Sequence, residues 1–252
     1  APLNVLYISQ LARDQGIKVL LSGAGGDDLF TGYRRHRAVQ LERLWDWLPY
    51  GIRAGMERVT KGFDVRKPFL RRLAKLFNGS KLEGDARLVN YFRWIDDGSL
   101  RKLYSENFQA EIGGTNEAEP LLKFLQPLSE EILPLNRMLA LEQRYFLADH
   151  NLIYTDKMSM AAGVEVRVPF LDLDLVDFAA GIPIKFKQRG RKGKWVLKKA
   201  MEPYLPHDVI YRAKSGFGAP LRRWMRHELR ELLGDLLSSE SLNRRGLFSP
   251  KG

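Results

Sequence analysis

The most constraining feature of the sequence is a short apolar run that leads directly into a glycine-rich loop. Ile17–Leu21 reads Ile-Lys-Val-Leu-Leu, has the length of a strand and is bounded by glycines, which is typical of a buried parallel strand. The loop 22–26, Ser-Gly-Ala-Gly-Gly, follows at once, and Asp27 and Asp28 begin a helical stretch. An amphipathic helix over residues 3–15 precedes the strand. Helix, strand, turn and helix in this order predict part of an α/β unit.

Most of the remaining chain has the apolar periodicity of helices. Helices are predicted over residues 39–48, 68–77, 86–95, 100–108, 121–147, 173–180, 195–201 and 220–237. Segment 164–169 is predicted to be extended, and segments 112–119 and 188–194 are predicted to be loops. The expected fold class is α/β and predominantly helical.

Length and composition restrict the class of protein further. The 252 residues are 44% hydrophobic, which is enough to bury a core, and no apolar run reaches the roughly 18 residues that a membrane helix needs. The absence of cysteine excludes disulfides, thiolate metal sites and a cysteine nucleophile, and is compatible with a cytoplasmic location. Because Ala1 is followed at once by the middle of an α/β unit, we expect the chain to be part of a longer protein.

The positive charge is concentrated in the last quarter of the chain. The net charge is +11, and all of it arises in residues 185–252, which hold 17 basic and 6 acidic side chains. Such an excess favours a polyanionic partner: nucleic acid, an acidic membrane surface or the phosphates of a nucleotide. The histidines lie outside the motifs described below and are expected to be surface or capping groups: His36, His150, His207 and His227.

The glycine-rich loop is a candidate phosphate site. A strand that leads through small residues into a helix leaves several backbone N–H groups unpaired, and these, with the helix dipole, favour an anion. Asp27 and Asp28 would repel a bare phosphate, so their presence is explained if Mg²⁺ bridges carboxylate and phosphate oxygens. The alternative is that both carboxylates only cap the helix. The loop lacks the closing Gly-Lys-Ser/Thr of a Walker motif.

A second motif, residues 211–220, combines two cations with a flexible Ser-Gly-Phe-Gly segment. In a loop that closes over a polyphosphate, Lys214 would act as a movable charge and Arg212 as a bidentate hydrogen-bond donor. The alternative is an ordinary solvated basic loop.

A third motif, residues 156–172, contains an extended segment in which Glu165 and Arg167 alternate with valines. Because side chains alternate along a strand, Glu165 and Arg167 should project to one face. Either they form a partly buried ion pair with each other, or they hold an amino-acid substrate by its ammonium and carboxylate groups.

These three motifs, in this order and at these separations, resemble the synthetase domain of the asparagine synthetase B family, the glutamine-dependent asparagine synthases. The resembling segments are 19–33, 151–172 and 211–224, with the 192–201 helix between the last two. The resemblance implies a partial ATP-pyrophosphatase fold, a doubly wound parallel sheet with helical extensions. The implied parts of this synthetase-domain fragment are residues 1–33 as the end of the α/β core, 34–150 as a helical region and 151–252 as a helical region on the substrate and pyrophosphate side.

The resemblance also implies a reaction, in which ATP adenylates the side-chain carboxylate of aspartate and ammonia then displaces AMP. ATP and Mg²⁺ are the implied cofactors. The candidate site residues are Ser22, Gly23, Gly25 and Gly26 for the nucleotide, Asp27 and Asp28 for the metal, Lys214 for the departing pyrophosphate, and Arg167 for the substrate.

Three departures from the family pattern bear on activity. Ala24 stands where the family usually has Glu or Asp, a carboxylate linked to forming the aspartyl-adenylate and to handling the ammonia proton. Glu165 is the candidate replacement base, because relatives that close β-lactam rings use a glutamate from this segment; otherwise water or phosphate takes the proton, or adenylation is impaired. The family's Ser-Gly-Gly-x-Asp-Ser loop and its glutaminase domain do not occur in these residues. The chain by itself is therefore expected to show little ATP chemistry and no glutamine hydrolysis.

The sequence leaves several interpretations open. The acceptor is aspartate or another small carboxylate, the latter in a related amidotransferase or an amide-bond-forming cyclase. The chain is otherwise a non-catalytic paralogue, which Ala24 favours, or a basic nucleic-acid-binding module. Ammonia would come from a glutaminase domain outside these residues, and no membrane partner is expected. An exposed apolar edge at Ile17–Leu21 would favour a homodimer.

Overall fold

The computed structural model describes residues 1–64, 66–213 and 220–251. These residues form two compact units, each assembled from segments that are far apart in the sequence. The larger unit contains residues 2–64, 66–91 and 120–213, and the smaller unit contains Ala1 and residues 92–119 and 220–251.

Helices dominate both units, and none of the described helices is long and apolar enough to cross a membrane. Up to residue 141 the elements are α1 (Pro2–Asp14), β1 (Val19–Leu21), α2 (Gly26–Phe30), α3 (Arg34–Glu42), α4 (Tyr50–Lys61), α5 (Pro68–Phe77), α6 (Gly84–Asn90), α7 (Asp97–Leu103), α8 (Glu106–Ile112), α9 (Glu119–Leu125) and α10 (Pro134–Leu141). After residue 141 they are a π-helix (Glu142–Leu152), α11 (Ile153–Ala161), β2 (Glu165–Arg167), a 3₁₀ turn (Pro169–Leu171), α12 (Leu173–Gly181), α13 (Ile184–Lys187), β3 (Gln188–Arg189), β4 (Lys192–Gly193), α14 (Trp195–Met201), α15 (His207–Tyr211), α16 (Leu221–Arg226), α17 (Arg230–Leu236) and α18 (Ser239–Arg245).

The larger unit contains a small parallel sheet. β1 and β2 pair in parallel, with Val19 opposite Glu165 and Leu21 opposite Arg167. A second, antiparallel pair joins β3 and β4 within a segment predicted to be a loop. The described chain is therefore a mostly helical α/β protein, as expected, with two strands in each of its sheets.

β1 is more exposed than its apolar sequence predicted. Leu21 is 75% exposed and Val19 is 39% exposed. In the described part of the chain β2 covers only one edge of β1, so the prediction of a buried strand is wrong here. The exposed apolar edge that was expected at Ile17–Leu21 is present.

The core of the larger unit has two parts. Leu29 and Phe30 of α2 pack with Ala179 of α12, so the residues directly after the glycine-rich loop anchor the loop to the rest of the unit. The second part lies on α10, where Met138 and Leu141 are completely buried. Their spacing places both on the inward face of that helix.

The helix predictions succeeded where periodicity is uninterrupted. α5 and α14 have the predicted bounds. The predicted helix over 220–237 is two helices, because the backbone at His227 (φ −123°, ψ −83°) leaves the helical region. The predicted helix over 121–147 is also interrupted, and Pro134 begins α10 at the position where a proline has no N–H bond to lose. The sequence pattern did not predict α4.

In the smaller unit, α7 and α8 are joined to the C-terminal segment. The N–H of Ser105 donates to the carbonyl of Leu247 (3.0 Å). Tyr104 and Phe248 form an isolated antiparallel bridge, with their ring centroids 5.8 Å apart. These contacts connect segments that are distant in the sequence.

We expect Leu141→Ala to lower the free energy of unfolding by about 2–5 kcal/mol, because truncation of a completely buried leucine leaves a cavity. Leu44→Ala is the matched control: Leu44 is 70% exposed, and its truncation should change stability by less than about 0.5 kcal/mol. Urea unfolding followed by circular dichroism measures both variants. Equal losses would contradict this assignment of the core.

Candidate functional site

The pairing of β1 with β2 brings two of the sequence motifs together. The N–H of Ser22 donates to the carbonyl of Arg167 (2.8 Å), and the N–H of Glu165 donates to the carbonyl of Lys18 (2.9 Å). The glycine-rich loop therefore begins directly beside the end of β2. Open α/β proteins bind ligands at the carboxyl ends of their parallel strands, so this edge is the candidate site.

The residues of the glycine-rich loop have different environments. Gly25 has a left-handed backbone (φ +85°), and a Cβ there would lie 2.6 Å from the Leu171 side chain, so only glycine fits. Gly26 is also buried, whereas Ser22 is half-buried and Gly23 is exposed. Ser22 and Gly23 are therefore the accessible nucleotide candidates. Gly25 and Gly26 pack against the segment that follows β2.

The loop is also stabilised from within. The N–H of Ala24 donates to Oγ of Ser22 (3.2 Å). α2 has only five residues, so its dipole is small and attraction for an anion would depend mainly on the loop's own N–H groups. The N–H groups of Ser22 and Gly26 also donate already, to the carbonyls of Arg167 and Gly23. The structure therefore weakens both grounds for the predicted anion site, the helix dipole and the unpaired N–H groups of the loop.

Asp27 is held by a lysine from a distant part of the chain. Its Oδ1 lies 3.0 Å from Nζ of Lys194, and both side chains are partly exposed. The same carboxylate lies over Gly32, where a Cβ would overlap Oδ1. Asp27 therefore has a defined position; its side chain is 19% exposed, and its Oδ1 atom is buried.

The backbone beside this ion pair is strained. Thr31 (φ +67°) and Lys194 (φ +55°) are the non-glycine residues with positive φ in the described ranges. The N–H of Lys194 donates to the carbonyl of Phe30 (3.0 Å), and the Thr31 hydroxyl donates to Oε1 of Gln188 (2.9 Å). Residues in such conformations cost about 1–3 kcal/mol each and cluster at functional sites. The β3–β4 hairpin is thus fastened to the end of α2, beside Asp27.

Asp28 belongs to a buried polar cluster. It is 1% exposed and accepts a hydrogen bond from the Tyr33 hydroxyl (3.3 Å). Burial, followed by the charge of nearby Glu142, raises the pKa of Asp28 to about 7. This carboxyl group therefore keeps its proton to a higher pH than a solvated aspartate does.

His36 and Glu142 complete that cluster, and both are fully buried. Glu142 accepts hydrogen bonds from Nε of Arg35 and Nε2 of His36. Because Nδ1 of His36 accepts the N–H of Gly32 (2.9 Å), the ring proton is on Nε2. His36 therefore links the backbone that contacts Asp27 to the first residue of the π-helix.

The prediction that His36 is a surface or capping group is confirmed in its second alternative. It does cap α3, as a capping box with Tyr33, but it is not on the surface. Sequence patterns did not indicate Glu142, because the π-helix that it begins has no periodicity that distinguishes it from an α-helix. Such segments are rare and are frequent at functional sites.

The structure distinguishes the two adjacent carboxylates that the sequence grouped as metal ligands. No group of three acidic or histidine side chains among the described residues could hold a metal ion unaided. Mg²⁺ at nucleotide sites commonly uses one or two carboxylates with phosphate oxygens and water. Asp27 suits that requirement better, because its side chain is partly exposed, whereas Asp28 is buried and has a raised pKa.

Glu165 and Arg167 project to one face of β2, as the alternation predicted. Nε of Arg167 lies 2.8 Å from Oε1 of Glu165, and both side chains are more than half exposed. The pair is therefore exposed rather than partly buried. The hydrogen bond from Arg167 lowers the pKa of Glu165, which weakens this carboxylate as a base.

Sequence reasoning missed Thr31, Gly32 and Lys194 as parts of the site. Lys194 lay within a segment already noted for its charge, but nothing in the sequence indicated that it pairs with Asp27. Lys214, the predicted pyrophosphate lysine, lies outside the described residues, so its role stays a prediction.

The whole chain matches one known protein family. The model of the asparagine synthase family covers residues 1–252. The chain belongs to the asparagine synthase family. This membership confirms the resemblance drawn from the glycine-rich loop, the 156–172 motif and the basic 211–220 motif.

Several curated proteins are similar to this chain. A putative glutamine-hydrolysing asparagine synthetase of Mycobacterium bovis is 30% identical over 226 residues, which are 90% of this chain and 33% of that protein. Glutamine-hydrolysing asparagine synthetase 1 of Bacillus subtilis is 27% identical over 237 residues, covering 94% of this chain and 36% of that protein. The chain thus spans about a third of the length of these relatives. No solved structure matches it.

We expect Gly32→Ala to displace the Asp27 carboxylate, because the added methyl group would overlap Oδ1. The crowding should lower the free energy of unfolding by about 1–3 kcal/mol. Gly51→Ala on α4 is the control, since its Cβ would meet no atom within 4 Å, and its stability should be unchanged or slightly higher. Thermal unfolding measures both, and an undiminished stability of the Gly32 variant would contradict the close contact.

His36→Ala should lower the free energy of unfolding by about 1.5–3 kcal/mol, because it removes a hydrogen bond that the buried Glu142 carboxylate accepts. His227→Ala is the control, as His227 is exposed. Urea unfolding at neutral pH compares them. A loss below about 1 kcal/mol in the His36 variant would show that the cluster does not depend on this histidine.

Proposed function

We propose that this chain provides the synthetase site of an enzyme that converts aspartate to asparagine with ATP. Family membership over the full chain and the junction of the glycine-rich loop with the end of β2 support this. The junction is the single observation that carries the proposal. It places a loop suited to binding phosphate beside Arg167, a cation suited to binding the carboxylate of an amino acid. Since the chain spans about a third of its relatives, the reaction is proposed for the full-length enzyme.

The proposed reaction has two steps. The side-chain carboxylate of aspartate attacks the α-phosphorus of ATP, which forms β-aspartyl-AMP and releases pyrophosphate. Ammonia then attacks the activated carbonyl carbon, AMP leaves with the bonding electron pair, and a base takes the ammonia proton. Both steps place negative charge on phosphate oxygens, so cations and N–H groups at this edge would stabilise them.

The nucleotide is proposed to contact Ser22 and Gly23, the accessible residues of the loop. Gly25 and Gly26 would shape the loop by allowing its close approach to the segment after β2. We further propose that the loop belongs to an ATP-pyrophosphatase fold in which β1 and β2 are neighbouring strands of the parallel sheet.

Asp27 is the residue proposed to hold Mg²⁺, and Asp28 would support the loop from the buried cluster. Mg²⁺, when bound, would neutralise charge on the ATP phosphates. Lys194 orients the Asp27 carboxylate through their 3.0 Å ion pair. Lys214 is proposed, from the family resemblance, to stabilise the departing pyrophosphate.

Arg167 is the proposed contact for a carboxylate of the substrate. It is exposed at the end of β2, and exposed ion pairs contribute only about 0–1 kcal/mol, so its guanidinium can exchange Glu165 for a substrate at little cost. Glu165 is the proposed proton acceptor in place of the carboxylate absent at Ala24. Its lowered pKa makes water or phosphate the competing acceptor.

The remaining proposals concern the larger assembly. Ammonia would come from a glutaminase domain, in keeping with the names of the relatives. The chain would form one synthetase-domain fragment with its core end at 1–33, a helical region at 34–150 and the substrate and pyrophosphate side at 151–252. A cytoplasmic location and a homodimer are proposed with it.

A second candidate function is amidation or cyclisation of a different carboxylate. Ala24 favours this second function, because the family residue linked to the aspartyl intermediate is replaced by a side chain that cannot accept or donate a proton. The nucleotide chemistry would be the same, and only the acceptor would differ.

Pyrophosphate release from Mg-ATP by the full-length enzyme, with ammonia supplied, tests the proposed function. Release should require aspartate, should match the asparagine formed, and should fall about a hundredfold in Asp27→Asn and in Lys214→Ala, which each remove a charge from the phosphate region. Lys185→Met should leave the rate unchanged. The isolated 252-residue chain is expected to release little pyrophosphate.

The acceptor dependence separates the alternatives. Release with another carboxylate and none with aspartate would reject asparagine synthesis and favour the second candidate. Absence of release with every carboxylate would reject both, and recovery of turnover by Ala24→Glu would then identify a non-catalytic paralogue.

A further inference from the structure

A pocket of about 370 Å³ opens in the larger unit, with walls from β4, α14 and α15. Its size is typical of small-ligand sites. None of the residues assigned above to the nucleotide, the metal or the substrate lines it. Its walls include Lys192, Lys198 and Lys199, with Trp195, Tyr211 and Glu202.

Glu202, the acidic residue of the pocket wall, is already neutralised. Nζ of Lys199 lies 2.8 and 3.1 Å from its two carboxylate oxygens, and the Tyr211 hydroxyl donates to Oε1 (2.6 Å). Glu202 and Lys199 therefore cancel each other's charge and hold Tyr211 in place.

Lys192 and Lys198 differ from Lys199, since neither has a carboxylate within ion-pair distance among the described residues. Their Nζ atoms lie 5.6 and 5.7 Å from the centre of the Tyr211 ring. A cation–π contact of this kind is attractive but does not neutralise the charge of the ammonium group. One aromatic ring thus holds two ammonium groups at the same pocket.

Lys194 is a third cation near these two lysines, and it pairs with Asp27. Burial, and then the charges of Lys194 and Lys192, lower the pKa of Lys198, while Asp27 acts in the opposite direction. The fold therefore keeps three ammonium groups close together with one carboxylate among them. An anion with several charges would relieve this repulsion more than a singly charged one.

We propose that this pocket binds a diphosphate group, with Lys192 and Lys198 as direct contacts. Ammonium groups are compact charges with several donors, which suits the clustered oxygens of a diphosphate. The group could arrive as inorganic diphosphate or as part of a nucleotide. The proposed reaction releases inorganic diphosphate, but the assignment rests on the lysines and holds whichever carboxylate is amidated.

Titration calorimetry of the 252-residue chain with inorganic diphosphate, at low ionic strength and without Mg²⁺, tests the proposal. The double variant Lys192→Met/Lys198→Met should bind at least about tenfold more weakly than the wild type. The control Lys102→Met/Lys185→Met loses the same charge outside the pocket, and Lys185 also lies over an aromatic ring. Its affinity should be unchanged.

The choice of anion identifies the source of the diphosphate group. ATP that binds with the same lysine dependence would support the proposal with a nucleotide as ligand, whereas diphosphate binding without ATP binding would support it with the free anion as ligand. Undetectable binding of diphosphate to the wild type, or an equal loss in the control variant, would overturn the proposal.

Lysine acetylation read by mass spectrometry provides a test on the unaltered chain. Diphosphate should slow acetylation of Lys192 and Lys198 severalfold and leave Lys185 unaffected, because only the first two would be covered. Uniform protection of all lysines, or no protection of the pocket pair, would overturn the assignment.

Discussion

The parallel pairing of β1 with β2 is the interaction on which the rest of the site depends. It joins residues 19–21 to residues 165–167, and the bond from the Ser22 N–H to the Arg167 carbonyl continues it into the loop. Without this register the glycine-rich loop and the Glu165–Arg167 pair would be separate features of the surface. With it, a loop suited to phosphate and a cation suited to a carboxylate share one edge. The proposed activation of a carboxylate would use both groups.

A second set of contacts gives Asp27 its position. Gly32 allows the carboxylate to approach the backbone, Lys194 pairs with it, and His36 holds the Gly32 N–H from the buried side. Thr31 and Lys194 are both strained. These strained conformations lower the stability of the fold at the place where the proposed chemistry needs a fixed carboxylate. Strain of this kind is common at functional sites.

Asp27 and Asp28 show how environment separates two adjacent residues of one type. Asp27 is partly exposed and paired with Lys194, which leaves it the better placed of the two to bind a ligand. Asp28 is buried beside Glu142 and holds its proton to about pH 7. The lysines of residues 185–252 also differ in their environments. Lys199 is neutralised by Glu202, whereas Lys192 and Lys198 both lie near the ring of Tyr211.

The sequence by itself determined the features that depend on local pattern: the strand and glycine-rich loop at 17–26, the bounds of α5 and α14, the alternation that places Glu165 and Arg167 on one face, and the order of motifs that identifies the family. These follow from periodicity, proline and glycine positions, and spacing. Only the tertiary structure decided that Lys194 meets Asp27, that His36 is buried against Glu142, that the segment 188–194 forms a hairpin, and that β1 keeps an exposed edge. Each of these depends on residues that are far apart in the chain, or on a backbone conformation, such as that of Thr31, which local preference disfavours and packing imposes.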